Sequence, residues 1–164
     1  MSRSLAILNA LVDTRNTVAE IQSTDVHGAV LTLTRTSAQA ITTAGTVIIW
    51  QSEIRGYEIT WAGSDITIPA SGWYIVTCAF QFGALNDLLI RLVVNGVGVQ
   101  FASTIGDVNR DVGVATFMRY FAEDDVVRIQ LEPSANVNVN ARAENGTAES
   151  PILHIVQLSG DVDV

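Results

Sequence analysis

The fold class of this chain is decided by residues 87–104, which read DLLIRLVVNGVGVQFAST. Two runs rich in Leu, Ile and Val lie on either side of Asn95-Gly96. A two-residue type I′ turn needs positive φ at both central positions, and Asn followed by Gly adopts that conformation readily. Because Val, Ile and Phe favour strands, the segment predicts an antiparallel β-hairpin.

The same alternation of apolar runs and turns extends over most of the chain. From Gly45 onward, runs rich in Val, Ile and aromatic residues are bounded by Gly, Asn, Asp and Pro, which is the pattern of short strands. Ten strands are predicted, at residues 46–50, 56–61, 65–68, 73–82, 87–94, 97–104, 112–122, 125–132, 137–143 and 152–158. Ten strands without intervening helices indicate an all-β sandwich or jelly roll.

The N-terminal part of the chain has a different pattern. Residues 2–22 lack Gly and Pro, and their apolar side chains recur at intervals of three and four, which predicts a short amphipathic helix. These apolar residues are Leu5, Leu8, Leu11, Val12, Val18 and Ile21. Because so short a helix cannot bury its apolar face alone, we expect these six residues to contact a partner.

A domain division follows from this difference. Residues 29–35 alternate apolar and hydroxyl side chains, as a half-buried strand does, and we expect its backbone edges to add to a neighbouring sheet. We therefore predict an N-terminal attachment arm at 1–44, a jelly-roll domain at 45–160 and an acidic tail at 161–164.

The composition limits the classes of partner. The chain has 164 residues, of which 16% are charged, and its net charge is −8. That charged fraction lies below the usual one-quarter or so, so we expect part of the surface to be buried against other chains. The acidic balance argues against nucleic acid as a partner, and no apolar run reaches the roughly 20 residues of a membrane span.

No catalytic or metal-binding set is evident in the sequence. His27 and His154 lie far apart, and the chain has no nucleophile elbow, phosphate loop or paired cysteines. Cys78 lies in an apolar run, which predicts a buried thiol. Residues 106–111 carry alternate oxygen ligands but lack the Gly and Glu of a calcium loop, so a solvated loop is expected. We predict a non-enzymatic protein without a cofactor.

A series of segments, taken in order, resembles a known family. They are residues 50–56, residues 63–76 with the turn Pro69-Ala70-Ser71-Gly72 before Trp73-Tyr74, and residues 88–96, 114–129 and 152–158. The series is similar to the globular-head family of the complement first component, which is related to the tumour-necrosis-factor jelly roll. This resemblance covers residues 45–160 and implies a ten-stranded jelly roll that assembles as a homotrimer.

The aromatic residues are then expected to divide between the sandwich core and the threefold axis. The candidates are Trp73, Tyr74, Phe80, Phe82, Phe117, Tyr120 and Phe121. Because side chains alternate between the faces of a strand, Trp73 and Tyr74 should point in opposite directions, one into the core and the other to an interface or its rim.

A jelly roll behind a thin N-terminal segment resembles small phage virion proteins, such as capsid decoration proteins and fibre tips. We expect a structural protein, a trimeric capsid decoration or cement protein that stabilises the capsid. Its expected partner is the major capsid protein or another virion protein, and its expected location is the capsid surface after assembly in the host cytoplasm. The alternative is a receptor- or glycan-binding knob of a phage fibre, acting through residues 84–87, residues 106–111 and the turn at Trp61-Ala62-Gly63.

Overall fold

The structure, a computed structural model, describes residues 28–82, 87–104, 112–140 and 151–160. These residues form thirteen strands. In chain order they are β1 (Val30–Thr34), β2 (Gln39–Ile41), β3 (Thr46–Val47), β4 (Ser52–Tyr57), β5 (Thr60–Ala62), β6 (Asp65–Thr67), β7 (Gly72–Gln81), β8 (Leu88–Val94), β9 (Val97–Thr104), β10 (Val112–Phe121), β11 (Val126–Pro133), β12 (Val137–Val139) and β13 (Ile152–Gly160). None of these segments is an apolar helix of membrane-spanning length.

Two antiparallel sheets face each other across the core. The five-stranded sheet has the order β10-β7-β13-β1-β4, and the six-stranded sheet has the order β5-β6-β11-β8-β9 with β3 also paired to β11. Strands β2 and β12 form a separate two-stranded ribbon. The all-β prediction is confirmed. Three strands are present beyond the ten predicted from residue 45 onward. Strand β1 corresponds to the strand predicted in the arm, β2 also precedes residue 45, and the chain reverses between β4 and β5 at Glu58, whose φ is +65°.

The predicted hairpin at Asn95-Gly96 is confirmed. Asn95 and Gly96 have φ of +50° and +81°, and β8 pairs with β9 from Val94 and Val97 onward. The Asn95 side chain also ties this turn to the next one, since its Nδ2 donates to Oδ1 of Asp125 at 2.7 Å and its Oδ1 accepts from the Val126 amide at 2.9 Å.

Strand β1 corrects the predicted domain boundary. It lies inside the five-stranded sheet, where Leu31 pairs with Ile155 of β13 on one side and with Gly56 of β4 on the other. Both of its backbone edges are therefore occupied, and the expectation that it would add to a neighbouring sheet is wrong. The sandwich thus includes Val30–Thr34, which lie within the predicted arm of residues 1–44. The predicted helix and its six contact residues precede residue 28 and lie outside the described part of the chain.

The core is built from the inward-facing residues of the long strands. On β7 the side chains of Tyr74, Val76, Cys78 and Phe80 are buried, while the residues between them face outward. Aromatic rings pack against one another in the core, for example those of Tyr74 in β7 and Phe121 in β10, with centroids 5.6 Å apart. The Tyr74 hydroxyl donates to the Ala70 carbonyl at 2.8 Å, and burial raises the pKa of Tyr74 to about 12.

Hydrogen bonds tie the two sheets together along both open sides of the sandwich. On one side, the Trp61 indole N–H of β5 donates to Oε2 of Glu53 in β4 at 2.9 Å. On the other, Nε2 of Gln100 in β9 donates to the Met118 carbonyl of β10 at 3.3 Å. The Trp61 ring packs against the core and is held by this bond, so it does not offer a free platform for a sugar.

We predict that the Cys78 thiol reacts only after the protein unfolds. Its side chain is fully buried, and burial raises its pKa to about 12, whereas the reactive species is the thiolate. Labelling with a disulfide reagent at about pH 8 should be absent in the native protein and complete in urea. Rapid native labelling would contradict the placement of β7.

Candidate assembly surface

The outward side chains of the five-stranded sheet form a surface that we call the assembly face. It comprises the residues of β10, β7, β13, β1 and β4 that point away from the core. Strand registers arrange these residues in rows that cross the sheet. The chemistry of the rows determines what this face can bind.

One row is apolar across all five strands. Met118 pairs with Ile75, Ile75 with Val156, Val156 with Val30, and Val30 with Tyr57. At the two edges Met118 is 58% exposed and Tyr57 is 50% exposed. A continuous apolar row from edge to edge is unfavourable in water, and contiguous exposed patches of this kind mark interaction sites.

An aromatic pair lies next to this row. Trp73 of β7 pairs with Tyr120 of β10, and their ring centroids are 6.0 Å apart at an interplanar angle of 78°. This edge-to-face arrangement is a favoured one for aromatic rings. Trp73 is 47% exposed and Tyr120 is 43% exposed, so both rings still carry apolar surface that a partner can cover.

The seven aromatic candidates therefore fall into two groups, one in the core and one on the assembly face. The structure buries Tyr74, Phe80, Phe82, Phe117 and Phe121 in the core. It places Trp73 and Tyr120 on the assembly face. Trp73 and Tyr74 do point in opposite directions, with Tyr74 in the core.

A polar row also crosses the assembly face, and its central members bond one another. The row runs through Thr116, Thr77, His154, Thr32 and Arg55. The hydroxyls of Thr77 and Thr116 are 3.2 Å apart, and Oγ1 of Thr32 lies 2.8 Å from Nδ1 of His154. Because buried polar groups must be hydrogen-bonded, these two pairings allow the row from Thr116 to Thr32 to be covered at low energetic cost.

The outer face of the six-stranded sheet has the opposite character. Arg128 donates to both carboxylate oxygens of Asp65, at 2.6 and 2.8 Å, and Arg91 donates twice to Oε2 of Glu132, at 3.0 and 2.9 Å. The hydrogen bonds from Arg128 and Ser64 lower the pKa of Asp65 to about 2. Half-exposed ion pairs such as these are well solvated on a surface that faces water. The outer face of the six-stranded sheet therefore suits solvent, whereas the assembly face carries an apolar row.

A cavity of about 410 Å³ opens at the edge of the assembly face where the described chain begins. It is lined by Gly28, Val30, Arg55, Tyr57 and Val156, among others. A side chain at Gly28 would collide with the Gln157 carbonyl oxygen. Gly28, the first described residue, therefore lies beside Gln157 at this end of the assembly face.

Metal-ligating side chains do not cluster among the described residues. These residues contain no group of three or more His, Cys, Asp or Glu side chains placed to hold a metal ion. Residues 106–111, whose oxygen spacing raised the question of calcium, lie outside the described part of the chain.

Comparison with known proteins supports this view of the fold. No protein-family model matches the sequence, and no curated protein matches it. Among solved structures, murine APRIL has a TM-score of 0.59 at 12% identity, covering 80% of this chain and 99% of APRIL. The Eiger TNF protein of S. frugiperda has a TM-score of 0.59 at 9% identity, covering 83% and 96%.

A third similar structure is the vertex protein P5 of PRD1. Its TM-score is 0.62 at 14% identity, with 80% of this chain and 74% of that chain covered. At such low identities the likeness concerns the fold. The two facing sheets thus have a jelly-roll fold similar to that of tumour-necrosis-factor proteins, as the resemblance in the sequence implied.

Proposed function

We propose that this protein is a non-enzymatic structural protein of a phage virion, a homotrimer that decorates the capsid and stabilises it. The observation that carries the proposal is the assembly face. An apolar row spanning five strands, with Trp73 and Tyr120 beside it, needs a partner surface.

A second and a third copy of the chain are the partners that fit best. The resemblance to the globular-head family implies a threefold assembly, and the acidic net charge of −8 leaves apolar contact as the chief attraction between copies. In this arrangement Trp73, Tyr120 and Met118 lie in the contact between subunits. The alignment of one subunit on the next is then set by the polar row, which comprises Thr116, Thr77, His154, Thr32 and Arg55.

The virion role is supported by one structural likeness and by the geometry of the N-terminus. The fold resembles that of a phage vertex protein. Gly28, the first described residue, lies at one end of the assembly face, and a trimer carries three copies of the segment that precedes it. Three linked contacts bind a repeating capsid surface more tightly than one does, by avidity. The proposed partner is the major capsid protein or another virion protein.

The alternative function, a receptor- or glycan-binding knob, has one observation in its favour. Phe101 is 73% exposed on β9, beside a cleft on the six-stranded sheet. This surface lies on the other sheet from the assembly face, so both functions are compatible with a trimer.

The substitution Met118→Asp is expected to dissociate the trimer and leave the protomer folded. Met118 is exposed in the single chain, where surface changes usually shift stability by no more than about 0.5 kcal/mol. In the assembly the same carboxylate would be buried without a partner, which is strongly unfavourable. Light scattering should report a single chain, and the far-UV circular dichroism should be unchanged.

Two controls accompany this variant. Val97→Asp places the same charge on exposed β9, away from the assembly face, and should stay trimeric. Phe117→Ala removes a buried ring on β10 and should destabilise the protomer itself, by about 3–5 kcal/mol. A Met118→Asp protein that keeps the native mass of the wild type would contradict the proposed contact.

Deleting residues 1–22 is expected to abolish capsid binding and to leave a folded trimer. The deletion removes Leu5, Leu8, Leu11, Val12, Val18 and Ile21, the proposed contact residues, and leaves the described sandwich intact. Co-sedimentation with expanded empty capsids measures the binding. Retained binding would move attachment onto the jelly roll, and an unfolded product would make the segment a folding element.

A further inference from the structure

A second surface lies on the outer face of the six-stranded sheet, at the edge formed by β9. Phe101 is the most exposed large apolar residue in the described part of the chain, at 73%. It pairs with Arg91 of β8, whose side chain lies on the same outer face. An aromatic ring held on a strand and open to solvent offers a flat, preorganised contact area.

A cleft of about 390 Å³ lies next to this ring. It is lined by Leu89, Ser103, Glu132, Pro133 and Ser134, together with Asp87 and Leu88. Ser103 pairs with Leu89, and Leu89 with Glu132, so these residues form the outward row next to that of Phe101 and Arg91. Neighbouring residues on one face of a strand are about 7 Å apart, which places the ring at the rim of the cleft.

Two polar groups in the cleft have unused hydrogen-bonding capacity. Arg91 donates through Nε and Nη2 to one oxygen of Glu132, Oε2. The carboxylate is thereby held in place, and its Oε1 accepts no hydrogen bond from any described residue. The Ser103 hydroxyl likewise has no partner among the described residues. The cleft thus presents a fixed acceptor and a hydroxyl that acts as donor or acceptor.

We propose that this surface, comprising Phe101, Leu89, Ser103, Arg91 and Glu132, binds a neutral sugar ring of a polysaccharide. The apolar C–H face of the ring packs on Phe101, and its hydroxyls donate to Oε1 of Glu132 and bond to Ser103. Arg91 balances the charge of Glu132, so a neutral ligand fits this surface better than a charged one. This binding goes beyond the capsid role and does not depend on it.

The test uses saturation-transfer NMR with the methyl glycosides of glucose, galactose, mannose and N-acetylglucosamine. At least one should receive saturation from the full-length protein, with a dissociation constant in the millimolar range, as expected for one sugar ring on a shallow site. Phe101→Ala should weaken that binding at least tenfold, and Ser103→Ala should weaken it to a smaller extent. Val97→Ala, a matched change of an exposed apolar residue on the same strand, should leave binding unchanged.

Three results would overturn the proposal. Saturation of none of the four glycosides would exclude a neutral hexose site. Saturation that Phe101→Ala does not reduce would place sugar binding elsewhere. A lower native mass for Phe101→Ala would assign the ring to a contact between subunits. A protein that fails to bind sugar but keeps its trimer mass and co-sediments with capsids would refute only the sugar site. The two proposals can therefore fail independently.

Discussion

The structure depends on a five-stranded sheet that packs one face into the core and carries an apolar row across the other. One face supplies Tyr74, Phe80 and Phe117 to the core. The other carries Trp73, Met118 and the row that runs to Tyr57. An antiparallel sheet with one wet face usually alternates apolar and polar residues, and this sheet departs from that rule. A single sandwich covers only the inner face of the sheet, and the proposed assembly would cover the apolar row on the outer face.

The polar side chains of the two outer faces are placed as the proposed burial of the assembly face would need. Side-chain ion pairs among the described residues, such as Asp65 with Arg128, lie on the outer face of the other sheet, where water solvates them. On the assembly face the polar atoms at the centre of the sheet bond each other, as Thr32 does with His154. Covering this face therefore leaves few unsatisfied groups, and unsatisfied groups are the main cost of burying a mixed surface.

Local signals in the sequence predicted local structure well. The turn at Asn95-Gly96 and the opposite directions of Trp73 and Tyr74 follow from φ preferences and from strand alternation. Strand β1 was recognisable as a strand, but its partners were not, because Thr32 pairs with His154 far along the chain. The cleft beside Phe101 escaped prediction for the same reason, since Ser103 and Glu132 come together only through the β8 ladder.

The central claim is that copies of this chain cover one another's assembly faces around a threefold axis. The most direct measurement is the mass of the purified full-length protein in solution, determined by light scattering over a range of dilutions. The account predicts a value near three times the 17.6 kDa mass of the chain, persisting to low concentration. A monomeric mass for a folded protein would contradict it.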